Sequence, residues 1–324
     1  MKGALAALLL GASAFGATPE PLGGRPEVRA FIGELVERHG FNEAELTKMF
    51  SRVERIEPVL QFIAPGERPP WQDYRAQFVN DRRIAGGLAF WQANRKHLAR
   101  AEREYGIPAA IIVAILGVET NYGRNMGRYR VIDALATLAF EYPARAPFFR
   151  SELEQYLLLA RESELDVFAL RGSYAGAIGL PQFMPRSVRR FGVDFDGDGA
   201  IDLRRSSADA VGSVANFLKS HGWQSGEPVA FRAVVPDEVA PAYADGNVRP
   251  HVPLSELLVA GISLSPAPRS TEALGALIAL GSEYRVGLQN FYVITRYNRS
   301  AYYATAVADL AQALAAARQS GAGK

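Results

Sequence analysis

Hydrophobic residues recur at helical spacing through the first two thirds of the chain. Phe31 and Leu35 belong to one apolar stripe, which predicts a first helix that ends at Gly40. Asn42, followed three residues later by Glu45, is the capping pattern of a second helix. A longer stripe predicts a single amphipathic helix, whose apolar face holds Tyr74, Phe78, Ile84, Leu88, Trp91 and Leu98.

An almost uninterrupted apolar run from Ala109 to Val118 predicts a helix that is buried on every face. Further helical patterns cover residues 131–141, 148–161, 208–221 and 300–318. Beyond Gly226 the apolar runs shorten between turns, which predicts strands over residues 229–235, 277–280 and 291–296. The run at 277–280 also suits the end of a helix. The pattern therefore predicts a mainly α (α+β) fold with a small β-containing region.

Composition narrows the possible chemistry more than it narrows the fold. The 324 residues are 48% hydrophobic and 22% charged, as in an ordinary globular protein. A net charge of +2 gives no reason to expect a nucleic-acid partner. The sequence has no cysteine, which excludes disulfides, thiolate metal sites, a cysteine nucleophile and a lipid anchor on cysteine.

The first residues have the pattern of an export signal. Lys2 precedes an apolar run rich in Ala and Leu, and small residues suited to a cleavage site follow. We interpret residues 1–16 as a signal peptide and residues 17–26 as a linker, with a poorly ordered hydrophobic tail as the alternative. The first interpretation predicts a soluble periplasmic protein.

Glu119 is the first candidate for chemistry, because it ends the apolar helix. Desolvation and the negative end of the helix dipole both disfavour a charged carboxylate there and raise its pKa. A general acid that works near neutral pH needs a raised pKa of this kind. The alternative is a structural ion pair with Arg124, Arg128 or Arg130.

The segment from Gly172 to Pro185 is unusually rich in glycine and other small residues. Small residues let the backbone approach a ligand closely. Ser173 and Gln182 could supply hydrogen bonds to a sugar, and the rings of Tyr174 and Phe183 could stack on it. A tight helix-packing loop is the alternative explanation.

An acidic segment follows the spacing of an EF-hand calcium loop. Acidic residues occupy its positions one, three, five and nine, with glycine at six, but Arg205 stands where a bidentate Glu is usual. Asp209 could replace that Glu if the loop, 194–209, is longer than standard, and an ordinary acidic turn is the alternative. The candidate ligands are Asp194, Asp196, Asp198, the Ala200 carbonyl, and Asp202 or Asp209.

Taken together, these segments resemble the lytic murein transglycosylase B family, of the glycoside hydrolase family 103 type. The matching motifs lie in order at residues 116–123, 133–140, 172–185, 194–209 and 212–223. The sequence Arg296-Tyr297-Asn298, followed by Ser300 and Tyr303, is similar to a late substrate-binding motif of the family.

The resemblance implies cleavage of the MurNAc–GlcNAc bond of peptidoglycan glycan strands without water, giving 1,6-anhydromuramoyl products. Glu119 would serve as acid and then as base, with the substrate's own N-acetyl group stabilising the intermediate. The implied cofactor is a structural Ca²⁺, and no organic cofactor is implied. The implied saccharide-binding residues are Ser173, Gln182, Tyr297, Asn298 and Tyr303, with Tyr74 as a weaker candidate.

The family's architecture is a lysozyme-like helical core flanked by a helical domain and a small β-containing domain. On this chain the resemblance implies a helical region over residues 27–104 and the catalytic core over 105–228. The β-containing region would cover 229–292, and the substrate-binding segment and C-terminal helix would cover 293–324.

Two other functions stay open. A lysozyme-like hydrolase on the same fold would need a second carboxylate in the cleft, such as Asp133, Glu141 or Glu152. A peptidoglycan-binding protein without catalysis is the other alternative. The sequence also departs from the family at Arg186, where a small Ser is common.

Overall fold

The structure, a computed structural model, describes residues 22–63 and 69–321. The predicted signal peptide lies outside the described residues, and so does the first half of the predicted linker, residues 17–21. The described residues divide into two compact units, with the boundary between residues 56 and 57. Their boundary falls inside the predicted helical region 27–104, and the domain limits given above stay predictions.

The first unit contains the two helices that the sequence predicts. A 3₁₀ turn (Leu22–Gly24) precedes α1 (Pro26–His39) and α2 (Glu43–Phe50). Gly40 ends α1 in the left-handed conformation, with φ 64°. The Asn42 side chain accepts the Glu45 N–H at 3.0 Å, which confirms the predicted cap. Phe31 and Phe50 then pack edge to face, with ring centroids 6.1 Å apart.

Most of the second unit is helical, which confirms the predicted fold class. The bounds of its α-helices are α3 (Glu57–Ile63), α4 (Trp71–Ala76), α5 (Asp81–Ala93), α6 (Arg95–Tyr105), α7 (Ala109–Thr120), α8 (Val131–Glu141), α9 (Ala146–Glu162), α10 (Pro185–Phe191), α11 (Ser207–Ser220), α12 (Ala240–Tyr243), α13 (Leu254–Val259), α14 (Gln289–Tyr297) and α15 (Ala301–Gln319). None of the helices in the described part of the chain has both the length and the apolar character that crossing a membrane requires.

The prediction of one long helix from Tyr74 to Leu98 is wrong, because asparagines divide it into α4, α5 and α6. The Asn80 side chain accepts the Arg83 N–H at 3.0 Å and so starts α5. Asn94 ends α5, and its side chain donates to the Phe90 carbonyl at 2.9 Å. The hydrophobic periodicity continues across both helix boundaries, so the sequence pattern did not indicate them.

The apolar helix α7 lies at the centre of the second unit. It packs against α5, α6, α11 and α15. Every side chain from Ile111 to Leu116 is at least 95% buried. Because neighbouring helices cover all its faces, α7 fixes the position of the residue at its C-terminal end.

The described strands form two antiparallel sheets. A ribbon joins β1 (Tyr129–Arg130) to β2 (Arg171–Gly172). The other sheet has the order β4-β6-β7-β3-β5, from β3 (Ala230–Val234), β4 (Val252–Pro253), β5 (Ser263–Ser265), β6 (Leu274–Leu280) and β7 (Glu283–Gly287). Phe231, Leu277 and Val286 are aligned across its three central strands in a separate apolar core.

The structure confirms two of the three predicted strands and corrects the third. Residues 291–296 belong to helix α14, where Phe291, Val293 and Ile294 are all fully buried. A short apolar run of this kind suits a strand and a buried helix equally well. The prediction also missed β7, because Glu283 and Arg285 break its apolar pattern while pairing with each other.

Candidate active site

Glu119 lies in the last turn of α7 and contacts α15. The Tyr303 hydroxyl donates to Glu119 Oε1 at 2.6 Å. Tyr303 stands in the first turn of α15, where the Ser300 side chain accepts its N–H. The Glu119 side chain is partly exposed, whereas Tyr303 is 2% exposed. Tyr303 therefore holds the carboxyl of a side chain that keeps partial exposure to solvent.

The surroundings of Glu119 raise its pKa to about 7. Burial disfavours the charged form, and the hydrogen bond from Tyr303 opposes part of that effect. Among the described residues, Glu119 has no basic partner, so it does not form the structural ion pair that was the alternative. Arg130, one of the candidate partners, pairs with Asp133 instead. A carboxyl with this pKa can donate a proton and take one back near neutral pH.

Tyr297 supports Tyr303 from behind. The two rings are stacked, with centroids 6.3 Å apart and planes 15° apart. The Tyr297 hydroxyl donates to the Pro181 carbonyl at 2.5 Å. Burial raises the pKa of both phenols well above the usual value, so both remain neutral hydrogen-bond donors.

The segment from Gly172 to Pro185 folds back on itself beside the end of α7. Ser173 Oγ accepts the N–H groups of Ala175 and Ala177, at 3.3 and 3.0 Å. The Gln182 amide donates to Gly179 at 2.8 Å and to Met126 at 3.4 Å, which fixes the side chain next to the turn that follows Glu119.

The other predicted saccharide-binding residues differ in exposure. Phe183 is 2% exposed and packs on Tyr297 and Phe217, so its ring has no free face for a sugar and that expectation is corrected. Tyr74 is half-buried, and its ring lies 5.6 Å from that of Tyr302. Asn298 is exposed directly after α14.

Thr120 is a site residue that the sequence reasoning missed. Its hydroxyl donates to the Leu180 carbonyl at 2.9 Å and accepts the Gly123 N–H at 2.9 Å. This buried side chain therefore joins the turn after Glu119 to the Gly172–Pro185 segment. The sequence contained one signal for this role, because Thr120 directly follows Glu119.

Tyr122 is a second missed residue, within a turn whose residues Asn121, Tyr122 and Gly123 all have positive φ, of 52°, 61° and 87°. Its hydroxyl donates to the Arg83 carbonyl at 2.9 Å. Its ring fills space left by three glycines, Gly86, Gly87 and Gly117: a Cβ at Gly117 would lie 2.6 Å from Tyr122 Oη. The glycines make room for a ring that holds this strained turn in place.

The acidic loop brings three predicted ligands together. Carboxylate oxygens of Asp194, Asp196 and Asp209 lie within 4.8 Å of one another. Asp209 is 1% exposed and accepts the N–H groups of Phe195 and Asp202. Hard oxygen donors gathered on a sharply turning loop fit the coordination that calcium prefers.

The remaining predicted ligands lie outside that group. Asp198 accepts the Ala200 N–H at 2.9 Å. Asp202 accepts the N–H groups of Arg204 and Arg205, at 2.9 and 3.0 Å. Asp209, rather than Asp202, therefore has the position to complete a calcium site, and the Ala200 carbonyl stays a prediction.

Two of the candidate second carboxylates are already engaged. Asp133 is 2% exposed and pairs with Arg130. Glu152 is 3% exposed, and Arg186 contacts it through its backbone N–H at 3.0 Å and its guanidinium at 3.6 Å. Arg186, the departure from the family pattern, thus covers a buried carboxylate.

Comparison with known proteins identifies the family. A family model described as "Transglycosylase SLT domain" matches residues 23–312. The membrane-bound lytic murein transglycosylase B of Escherichia coli (strain K12) is 42% identical over 308 residues, which cover 90% of this chain and 84% of the relative. The chain belongs to this family of lytic transglycosylases, which confirms the resemblance.

Solved structures support the same conclusion. Soluble lytic transglycosylase SltB1 from Pseudomonas aeruginosa is 49% identical, with a TM-score of 0.85 over 91% of this chain and 100% of that one. Escherichia coli Slt35 in complex with calcium is 40% identical, with a TM-score of 0.81 over 91% and 95%. Pseudomonas aeruginosa SltB3 in complex with NAG-anhNAM-pentapeptide is 30% identical, with a TM-score of 0.80 over 89% and 79%. These likenesses confirm the lysozyme-like fold.

The glycine cradle of Tyr122 is testable by adding one methyl group. We expect Gly117→Ala to lower the free energy of unfolding by about 1–3 kcal/mol, because the methyl overlaps the Tyr122 ring in a packed interior. Gly33→Ala is the matched control, since its Cβ meets nothing within 4 Å. Thermal unfolding measures both variants. Equal melting temperatures for the two would show that the ring does not need the space.

Burial raises the pKa of Glu119, and the hydrogen bond from Tyr303 is expected to limit that rise. It stabilises the charged carboxylate, so Tyr303→Phe should raise the Glu119 pKa above its value of about 7. Carbon-13 NMR of labelled glutamate side chains measures the titration. Tyr292→Phe, on α14, is the control and should leave that pKa unchanged. A lower pKa in Tyr303→Phe would contradict the assigned role of the phenol.

Proposed function

We propose that the protein is a lytic transglycosylase that cleaves the β-1,4 bond between MurNAc and GlcNAc in peptidoglycan and forms 1,6-anhydromuramoyl products. The observation that carries this proposal is Glu119 itself. Its side chain lies in the last turn of a largely buried helix, is itself partly exposed, and has a pKa that burial raises to about 7. Membership of the family supports the same activity.

The reaction uses one carboxyl group twice. Protonated Glu119 gives its proton to the glycosidic oxygen while the bond from that oxygen to C1 of the muramoyl residue breaks. The resulting carboxylate then takes the proton of the muramoyl 6-hydroxyl, and O6 forms a bond to C1. The proton returns to Glu119 and no water is consumed. A pKa near 7 suits both directions of transfer.

The positive charge that develops at C1 needs stabilisation from another group. We assign this role to the N-acetyl group of the substrate, because ion pairs withdraw two of the three candidate carboxylates, Asp133 and Glu152, from the reaction. A hydrolase would need a free second carboxylate to activate water or to attack C1. A protein that only binds would have no need for a desolvated acid.

We assign saccharide binding to residues from several segments around Glu119. Ser173 and Gln182 come from the glycine-rich segment, and Tyr303 orients the carboxyl. Asn298 and Tyr74 have partly open side chains and complete the set. Tyr297 holds Tyr303 in place through ring stacking, and Phe183 supports Tyr297 in turn.

We also propose a structural calcium ion, held by Asp194, Asp196 and Asp209. The loop runs between α10 and α11, so the ion would join these helices rather than take part in bond cleavage. The calcium complex of Escherichia coli Slt35 supports this assignment. We place the protein in the periplasm on the strength of the predicted signal peptide and the proposed substrate.

The proposed chemistry predicts the behaviour of Glu119→Gln. This substitution keeps the side-chain volume and removes the transferable proton, so turnover should fall by roughly a hundredfold to ten-thousandfold. Mass spectrometry of peptidoglycan digests measures the anhydro products. Glu102→Gln, an exposed neutral substitution on α6, is the control and should keep full activity.

The masses of the products also separate the candidate functions. The wild-type protein should yield fragments lighter by one water than those of a hydrolase. Reducing fragments would contradict the transglycosylase assignment. Digestion that continues in Glu119→Gln would remove Glu119 from the mechanism.

The metal proposal predicts that chelation destabilises the protein. An ion that binds only the folded state raises the melting temperature, so removing it with EGTA should lower that temperature and added Ca²⁺ should restore it. Asp194→Asn should abolish the response, whereas Asp237→Asn, at an exposed position, should keep it. Identical melting curves with EGTA and with Ca²⁺ would refute a calcium site in the folded protein.

A further inference from the structure

Three arginines gather at one end of the β1–β2 ribbon, and we call them the arginine cluster: Arg171 in β2, Arg128 directly before β1, and Arg204 from the loop before α11. The Arg204 guanidinium donates to the Arg171 carbonyl. The Arg171 guanidinium donates in turn to the Arg128 carbonyl at 3.3 Å. The Arg128 guanidinium lies over the Tyr129 ring, 5.5 Å from its centroid. Backbone and ring contacts thus hold three cationic side chains on one surface.

No carboxylate neutralises this cluster. Within residues 22–63 and 69–321, none of the three guanidinium groups lies within 4.0 Å of an acidic oxygen. Asp202 acts on Arg204 only from a longer distance. Arg128 and Arg171 are both exposed. The whole chain has a net charge of only +2, so this unpaired positive charge is a local feature.

The cluster borders the proposed saccharide cleft. Arg171 lies two residues before Ser173, and the Gln182 amide donates to Met126, two residues before Arg128. Gly127 brings the two backbones together: a Cβ there would lie 2.0 Å from the Gly172 carbonyl oxygen. An anionic group attached to a sugar bound near Ser173 could therefore reach the guanidinium groups.

We propose that the arginine cluster binds carboxylates of the stem peptide that peptidoglycan carries on its MurNAc residues. This inference rests on the proposed function and adds a determinant of substrate choice. The sugars of the glycan strand are uncharged where the lactyl group is in amide linkage, so the anionic groups available there belong to the peptide. Planar guanidinium groups match carboxylates in geometry as well as in charge.

Two sources of carboxylate have to be distinguished. A strand that carries peptides presents the carboxylates of those peptides. A strand from which an amidase has removed the peptides presents the free lactyl carboxylate instead. Comparing these two substrates tests which carboxylate the cluster binds.

The test uses the double variant Arg128→Gln/Arg171→Gln. Its control is Arg103→Gln/Arg249→Gln, which removes the same charge from exposed positions on α6 and in the loop before β4. On strands that carry peptides, we expect KM of the first variant to rise about tenfold at low salt, with kcat changed much less. The increase should shrink at high salt, since charge attraction is screened. The control should behave as the wild type.

The outcomes separate the inference from the function on which it rests. A much smaller rise in KM on stripped strands supports binding of the stem peptide. An equal rise on both substrates overturns it, and so does an unchanged KM. Wild-type protein that releases no anhydro product would instead overturn the proposed function.

A binding measurement remains valid without turnover. Calorimetry on Glu119→Gln with MurNAc-pentapeptide should give a Kd about tenfold weaker when Arg128 and Arg171 are also replaced. The same ligand with amidated peptide carboxylates should show no such difference between the two proteins. A difference that persists with the amidated ligand would contradict carboxylate recognition. Equal melting temperatures of the variants confirm that folding is intact.

Discussion

The site depends on keeping one carboxyl group largely away from water at the end of a buried helix. Helix α7 is apolar on every face, so other helices surround it and remove the solvent that would stabilise a charged Glu119. The resulting rise in pKa, to about 7, is the property that the proposed chemistry uses. Tyr303 limits this rise through its hydrogen bond and fixes the direction of the carboxyl. Burial therefore favours the protonated form of Glu119, and Tyr303 fixes its orientation.

A carboxyl at a helix end is useful only if that end is rigid, and the following turn supplies the rigidity. Positive φ is unfavourable for its two residues that are not glycine, Asn121 and Tyr122, so other contacts have to hold them. Tyr122 does so by packing into space left by glycines on α5 and α7. Thr120 does so by joining the turn to Leu180. The residues directly after Glu119 thus both pack against the helices and hold the glycine-rich segment in position.

Charged side chains in this protein occur in three different arrangements. Two buried carboxylates are paired with arginines, Asp309 with Arg75 at 2.5 Å and Asp133 with Arg130. Acidic groups converge in the loop after α10, where a cation would compensate them. Arginines without acidic partners converge beside the proposed cleft. The near-zero net charge conceals this segregation, which matches a substrate made of neutral sugars and anionic peptides.

Local spacing of apolar and charged residues was enough to predict the helical fold class and the buried character of α7, and it made Glu119 a candidate for a raised pKa, with an ion pair as the alternative. That spacing did not show that Asn80 and Asn94 interrupt the predicted long helix. An asparagine ends or starts a helix only if its side chain bonds the backbone there. Tertiary packing covers Phe183 and fits Tyr122 against glycines from two other segments. It also decided which acidic residues of the loop come together and that Asp133 is paired. These facts depend on contacts between distant parts of the chain, which spacing along the sequence does not record.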